Sequence, residues 1–252
     1  MVAHRPAEHW KPSLQGVEQR ALRHWRRNFE RNVCCHVVPG QAPQLRRVYK
    51  EPILLDVAER LLATGGPEAV TVRAVADEAD TTTRAVYAVF GSKEGLLAAL
   101  AARGYALLAE LVDGLPVTDD PAADLVDAGL VAFRGFALSR PHLFRVTFDQ
   151  VSEELIRDPA ANAALVDSYD ALVRRIRALR AAGGIGEATD AEIAFGFHSL
   201  CVGLANGELD RRPPPEGPGF WRPVHGVDGE RLWRVAVAAL VAGLRGPAAD
   251  AR

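Results

Sequence analysis

Thr81-Thr82-Thr83-Arg84 places three hydroxyls and a guanidinium side by side, with Tyr87 following and Lys93 beyond it. Such a set suits a polyanion with readable edges. A threonine hydroxyl donates and accepts, its methyl packs on a thymine methyl, and arginine bonds guanine or grips a phosphate. A tyrosine hydroxyl reaches a phosphate, and a lysine at a helix N-terminus makes a second anion site. Bond-making chemistry has no comparable support. No nucleotide loop is present, and no Ser-His-Asp or His/Cys cluster has motif-level backing. The chain reads as a non-enzyme with no cofactor and no metal site. Asp119-Asp120-Pro121 reads as a helix start, since Pro suits the first helical position. His142 and His198 read as core or surface histidines.

These residues need short helices to carry them. Pro52 is placed to open a first helix, with Leu54, Val57, Ala58, Leu61 and Leu62 at helical spacing and Gly65-Gly66 to stop it. Thr71 is a candidate N-cap for a second helix with Val72, Val75, Ala76 and Ala79 inward. Asp80 tolerates a left-handed turn better than most residues. Thr82 caps a third helix whose Val86 and Phe90 face inward, and Ser92 caps a long fourth with Glu94 in its first turn. Two short helices joined by a tight turn form a helix-turn-helix, which lays the head of its second helix in the major groove. The competing reading is a plain helical hairpin whose threonines only cap.

Length and composition are those of a soluble globular chain of one or two domains: 252 residues, 48% apolar and 25% charged. The longest apolar run, Val235 to Leu244, suits a buried helix, and the Arg-rich start lacks the apolar stretch of a secretory signal. Three cysteines make no disulfide framework, so a cytoplasmic setting is expected, with no membrane partner. Net charge of −2 hides an asymmetry: residues 1–50 carry +7 and the rest −9. Within 51–115 the balance is −5, although 81–93 is +2. Arg46, Arg47, Tyr49 and Lys50, read as lying just ahead of the first helix, are placed to supply positive charge as an arm.

Ala69-Val70-Thr71-Val72-Arg73-Ala74-Val75-Ala76-Asp77-Glu78-Ala79, then Val86-Tyr87, then Phe90-Gly91-Ser92-Lys93-Glu94-Gly95-Leu96-Leu97, resemble the DNA-binding domain of TetR/AcrR-type bacterial transcription regulators. The resemblance covers residues 52–100. It implies a homodimer, two recognition helices on a palindromic double-stranded operator, and a C-terminal helical domain that dimerises and binds a small-molecule effector. Thr82, Tyr87 and Lys93 sit at positions that commonly contact DNA in the family. With Arg46, Arg47, Thr71, Arg73, Thr81, Thr83 and Arg84 they make the expected contact set. The chain departs from the family pattern in carrying Asp80 where Gly is usual and Thr81 where an apolar residue is usual. At Val89 the family often has His or Tyr.

Further helices are expected to Ser139, from Pro141, from Ala161 to Ala182 with a solvated arginine face, and over 189–209 and 228–245. The last two are rich in small residues and resemble the family's dimer interface. Phe133, Phe136, Phe144, Phe148, Tyr169, Phe197 and His198 lie on helices that in the family surround the effector, although aromatic residues at this spacing also build plain cores.

The expected fold class is therefore all-α. A loosely ordered basic extension (1–45) precedes a helix-turn-helix domain (46–98), and an effector-binding and dimerisation bundle (99–252) follows. The expected function is a repressor released by its effector. The alternative is a small-molecule-binding or scaffold protein of the same fold that does not bind an operator, a reading favoured by Asp80 and the −5 charge.

Overall fold

Local capping sets the N-terminal helices. The computed structural model describes residues 42–149, 157–210 and 228–244, with side chains from Lys50 onward. Helix α1 (Ala42–Ala69) buries Leu54, Leu55, Val57, Ala58 and Leu62, and kinks at Gly66, whose φ of 68° is open to glycine. It starts well before Pro52, correcting the expected start. A proline inside a helix removes one backbone bond, and here the helix runs through it. Arg46 and Arg47 therefore lie on helical backbone rather than on an extended arm; their side chains are outside the description.

The next three helices follow their caps. In α2 (Val72–Glu78) the Thr71 hydroxyl accepts the Ala74 N–H at 3.0 Å, in α3 (Thr83–Phe90) Thr82 accepts that of Ala85 at 3.2 Å, and in α4 (Lys93–Asp113) Ser92 accepts that of Gly95 at 3.0 Å. Asp80 makes the α2–α3 turn at φ 47°, and the Thr81 N–H closes it onto the Ala76 carbonyl. Val72, Val75, Ala76, Val86, Val89 and Leu96 bury this unit's apolar side against α1.

The remaining elements form a helical bundle. Helix α5 (Pro121–Asp127) is capped by Asp120, opens into a π-helical segment (Ala128–Phe133) and resumes as α6 (Arg134–Ser139). Then come α7 (Pro141–Asp149), α8 (Pro159–Ala181), α9 (Asp190–Asp210) and α10 (Gly229–Gly243). Helix α4 packs along α8 and α7, and α10 closes on α5 and α9. At Gly104 the α4 backbone meets α7 so closely that a Cβ would lie 1.8 Å from Thr147 Oγ1. Of the described helices only α4 is long and apolar enough to cross a membrane, and half of that stretch is buried within the bundle.

The arginine face of α8 is not simply solvated. Arg174 pairs with Asp113, while Arg177 and Arg180 share Asp190. Arg175 is buried and donates to the carbonyls of Val112, Leu115 and Pro116, so it caps the C-terminal end of α4. The described residues fall within one compact unit; residues 1–41, 150–156, 211–227 and 245–252 lie outside them.

Candidate nucleic-acid interface

Helix α3 divides sharply between its two sides. Val86 and Val89 are buried, while Thr82, Thr83, Arg84, Tyr87 and Ala88 are exposed, Tyr87 at 53%. The inward stripe therefore includes Val89, and Phe90 is only half-buried, which corrects the expected Val86–Phe90 pair. Thr82 spends an acceptor lone pair on the Ala85 N–H and keeps its hydroxyl proton to donate outward. Thr81 is half-buried in the turn.

The flanking helix heads are less open. Thr71 is exposed with its oxygen committed to Ala74, and Arg73 sits one turn before Asp77, 3.7 Å away. At the head of α4 the Glu94 carboxyl is held below the usual carboxylate range by its own backbone N–H and by the Ser92 hydroxyl. That carboxylate already covers part of the expected phosphate site, so Lys93 is the cation left at that corner.

Much of the unit's acid is turned to other partners. Asp56 and Glu59 take Arg103 and Arg140 at the base of α1, Glu78 faces Arg60, and Asp113 takes Arg174. Of these cations only Arg140 and Arg174 come from outside residues 51–115, so they bring its −5 to −3. Asp80 remains exposed at the turn.

Behind the unit lies a cluster of rings. Phe148 stands 4.6 Å from Phe144, 5.2 Å from His198, 5.5 Å from Tyr105, 6.3 Å from Phe133 and 6.4 Å from Phe136. Phe133 meets Phe197 edge-on at 5.9 Å. Phe133, Phe136, Phe144 and Phe197 are fully buried; Phe148 and His198 form the half-buried edge. Burial holds the His198 imidazole below its usual range and pushes the Tyr105 hydroxyl up to about 12. Tyr169 stands apart, on the exposed side of α8. Sequence reading misses Tyr105, although its helical spacing with Leu108 and Val112 marks it as inward.

One further surface is apolar and open. On α9, Phe195 is 73% exposed beside exposed Ser199 and Gly203; on α10, Val235 is 59% exposed with Ala238, Ala239 and Ala242. A Cβ added at Gly196 or Gly203 would meet nothing within 4 Å.

Comparison with known proteins fits this geometry. Residues 54–100 match the family described as bacterial regulatory proteins, tetR family. Among solved structures the chain is similar to a protein with unknown function from Rhodococcus sp. RHA1, at 23% identity and a TM-score of 0.60, covering 84% of this chain and 98% of that one. It is similar to the TetR family transcriptional regulator PfmR from Thermus thermophilus, at 18% identity and 0.51, over 76% and 98%. It is also similar to a TetR transcriptional regulator from Streptomyces coelicolor, at 20% identity and 0.55, over 77% and 96%. No curated protein matches. At these identities the structural likeness speaks for the fold, and the matched segment is the one that builds the helix-turn-helix. The matched residues 54–100 form a helix-turn-helix similar to that of the bacterial regulatory proteins of the tetR family, on a fold shared with solved TetR-type structures.

Proposed function

We propose that the protein is a cytoplasmic homodimeric repressor that holds a palindromic operator and releases it when a small molecule enters the bundle. The observation that carries this reading is the split of α3: Val86 and Val89 anchor it, so Thr82, Thr83, Arg84 and Tyr87 face outward together. Arg84 takes the role of base reader, Thr82 and Thr83 contact phosphate or thymine, and Lys93 and Tyr87 hold phosphates. Thr71, Arg73 and Thr81 are flanking contacts, and Arg46 and Arg47 add charge from the start of α1. The open face of α9 and α10 supports the homodimer, because exposed apolar area of this kind favours association. Two copies would set their recognition helices about 34–36 Å apart, one helical turn of DNA.

The ring cluster supports an uncharged, largely apolar effector that enters at Phe148 and His198 and packs towards Phe133, Phe136, Phe144 and Phe197. A charged ligand would be desolvated there without an opposite charge. Effector binding then favours a helix spacing that does not fit DNA, a shift of population. The scaffold reading keeps two observations, the exposed Asp80 carboxylate beside the recognition helix and the acid of residues 51–115 that Arg140 and Arg174 only partly offset.

Gel retardation of the DNA upstream of the protein's own gene, at low salt, separates the two. Retardation that weakens with salt and is lost in the Arg84→Ala, Lys93→Ala double variant supports the repressor; none at low salt supports the scaffold. Light scattering should give twice the chain mass, and Gly203→Arg should give a monomer. An unchanged dimer places the interface elsewhere.

A further inference from the structure

Four charged side chains from α1, α4 and the α6–α7 turn meet behind the recognition unit. Glu59, on α1, is only 15% exposed. Its Oε2 accepts Arg103 Nε at 2.9 Å, and its Oε1 accepts from the Arg140 guanidinium. Arg103, 14% exposed, also reaches Asp56 Oδ1 at 2.6 Å. Arg140 leaves α6 with a non-helical φ of −136° and ψ of 62°, so the turn itself aims it at α1. Next to it, His142 at the head of α7 lies beside the Gly66 kink, 3.6 Å from where a Cβ would stand.

Apolar packing between α1 and the bundle is non-directional and tolerates sliding. A half-buried carboxylate shared by two arginines does not. Its hydrogen bonds are directional, and breaking one leaves charge without a partner in a partly dry site. Glu59 is therefore satisfied at one relative placement of α1, α4 and the α6–α7 turn. Arg103 also precedes Gly104 and Tyr105, which touch Thr147 and Phe148. The cluster is thus two residues away, along α4, from Tyr105 in the ring cluster of the bundle.

We propose that Glu59 is a positioning residue for DNA reading: with Arg103 and Arg140 it fixes the angle of the recognition unit on the bundle and so sets the half-site spacing the protein accepts. The inference rests on the dimeric DNA-binding reading above. Spacing is a sensitive readout, because each added base pair rotates a half-site by about 35° and moves it by about 3.4 Å. A rigid pair of recognition units rejects such shifts, whereas loosely held ones follow them.

The test uses the full-length protein. Operators are first selected from random duplex DNA, and the selected half-sites are then rebuilt with spacers one and two base pairs longer and shorter. The wild type should prefer one spacing by about tenfold over its neighbours. Glu59→Gln and Arg140→Gln should bring neighbouring spacings to within about threefold of the best and leave base preference within each half-site unchanged. Arg174→Ala, which removes an exposed ion pair far along α4, should keep the wild-type profile. Melting temperatures of all variants separate lost rigidity from lost folding, and the Arg140 variant, which leaves Glu59 paired to Arg103, guards against failure of the Glu59 variant to fold. A spacing profile that stays sharp in folded Glu59→Gln and Arg140→Gln overturns the proposal. A wild type that selects no DNA overturns the DNA-binding reading itself, and the positioning role with it.

Discussion

In the helix-turn-helix, the polar bonds that shape the chain are short in sequence. Thr71, Thr82 and Ser92 each accept a backbone N–H three residues ahead. The bundle has caps too, at Asp120, Asp158 and Asp228, but adds long bonds. Arg175 reaches Val112 across 63 residues, Arg134 reaches Glu208 across 74, and the buried Trp233 indole donates to that same glutamate at 2.8 Å. The recognition unit is thus built from local instructions and leaves its polar side to solvent. The bundle is built from distant partners and turns its aromatic side inward. Local caps shape the unit from within its own sequence; long-range pairs tie several helices of the bundle together at once.

The sharpest break of this contrast is at Arg175. Arg175→Ala removes the donor shared by the Val112, Leu115 and Pro116 carbonyls and the cation 3.9 Å from the buried Asp124 carboxylate, which keeps its bonds from Thr118. Removing one partner of a buried charged set costs about 3–5 kcal/mol, a melting shift of roughly 6–20 °C for a chain of this size. Thermal denaturation followed by circular dichroism checks it. A loss no greater than that of a single cap variant would erase the distinction drawn here.

A second prediction sharpens the bundle side through pH. Burial raises the Glu110 carboxyl from 4.5 to about 7. Its folded pKa lies above its unfolded value, so its contribution is fully present below pH 4.5 and is lost as pH rises through 7. Because the group is partly exposed, the loss is about 1–3 kcal/mol rather than the full value of the shift. Glu110→Gln should melt higher than the wild type at pH 8 and alike at pH 4.5, a comparison made by scanning calorimetry. His198 acts in the opposite sense: burial lowers its pKa, so it destabilises the fold as pH falls below its ordinary value of 6.5. Equal gaps between variant and wild type at both pH values would remove Glu110 from this account.

The smallest effect belongs to the recognition unit. Thr82→Ala removes one cap bond, at a cost of about 1 kcal/mol and a melting shift of roughly 2–4 °C. It also deletes an outward hydroxyl, so DNA affinity should fall more than stability does. Affinity that falls only in step with stability would make Thr82 a cap and nothing more.

The same contrast explains how much the sequence reveals. Thr71, Thr82, Ser92 and Asp120 are legible as caps because donor and acceptor lie within one turn. Asp80 is legible because few residues other than glycine tolerate φ 47°. Arg175 reads as solvated because nothing near it in sequence announces the α4 carbonyls that hold it. The early start of α1 is hidden by Pro52, since local preference ends a helix there and the structure runs through it. For the candidate site, the residue types on α3 point to DNA, but which of them face outward depends on Val89 packing beneath, a tertiary fact. Around the rings, spacing marks the inward phenylalanines and leaves Tyr169 ambiguous, because an aromatic at a helical position reads the same on either side of α8.

The central claim is that the exposed side of α3 reads DNA. The most direct measurement is fluorescence anisotropy of wild type, Arg84→Ala and Lys93→Ala on a selected operator and on single-base variants of it, at several salt concentrations. Arg84→Ala should lose about 1–3 kcal/mol and relax preference at one base position. Lys93→Ala should weaken every sequence alike and lower the salt slope by about 1. Folded variants that bind with wild-type affinity, base preference and salt slope would contradict the claim.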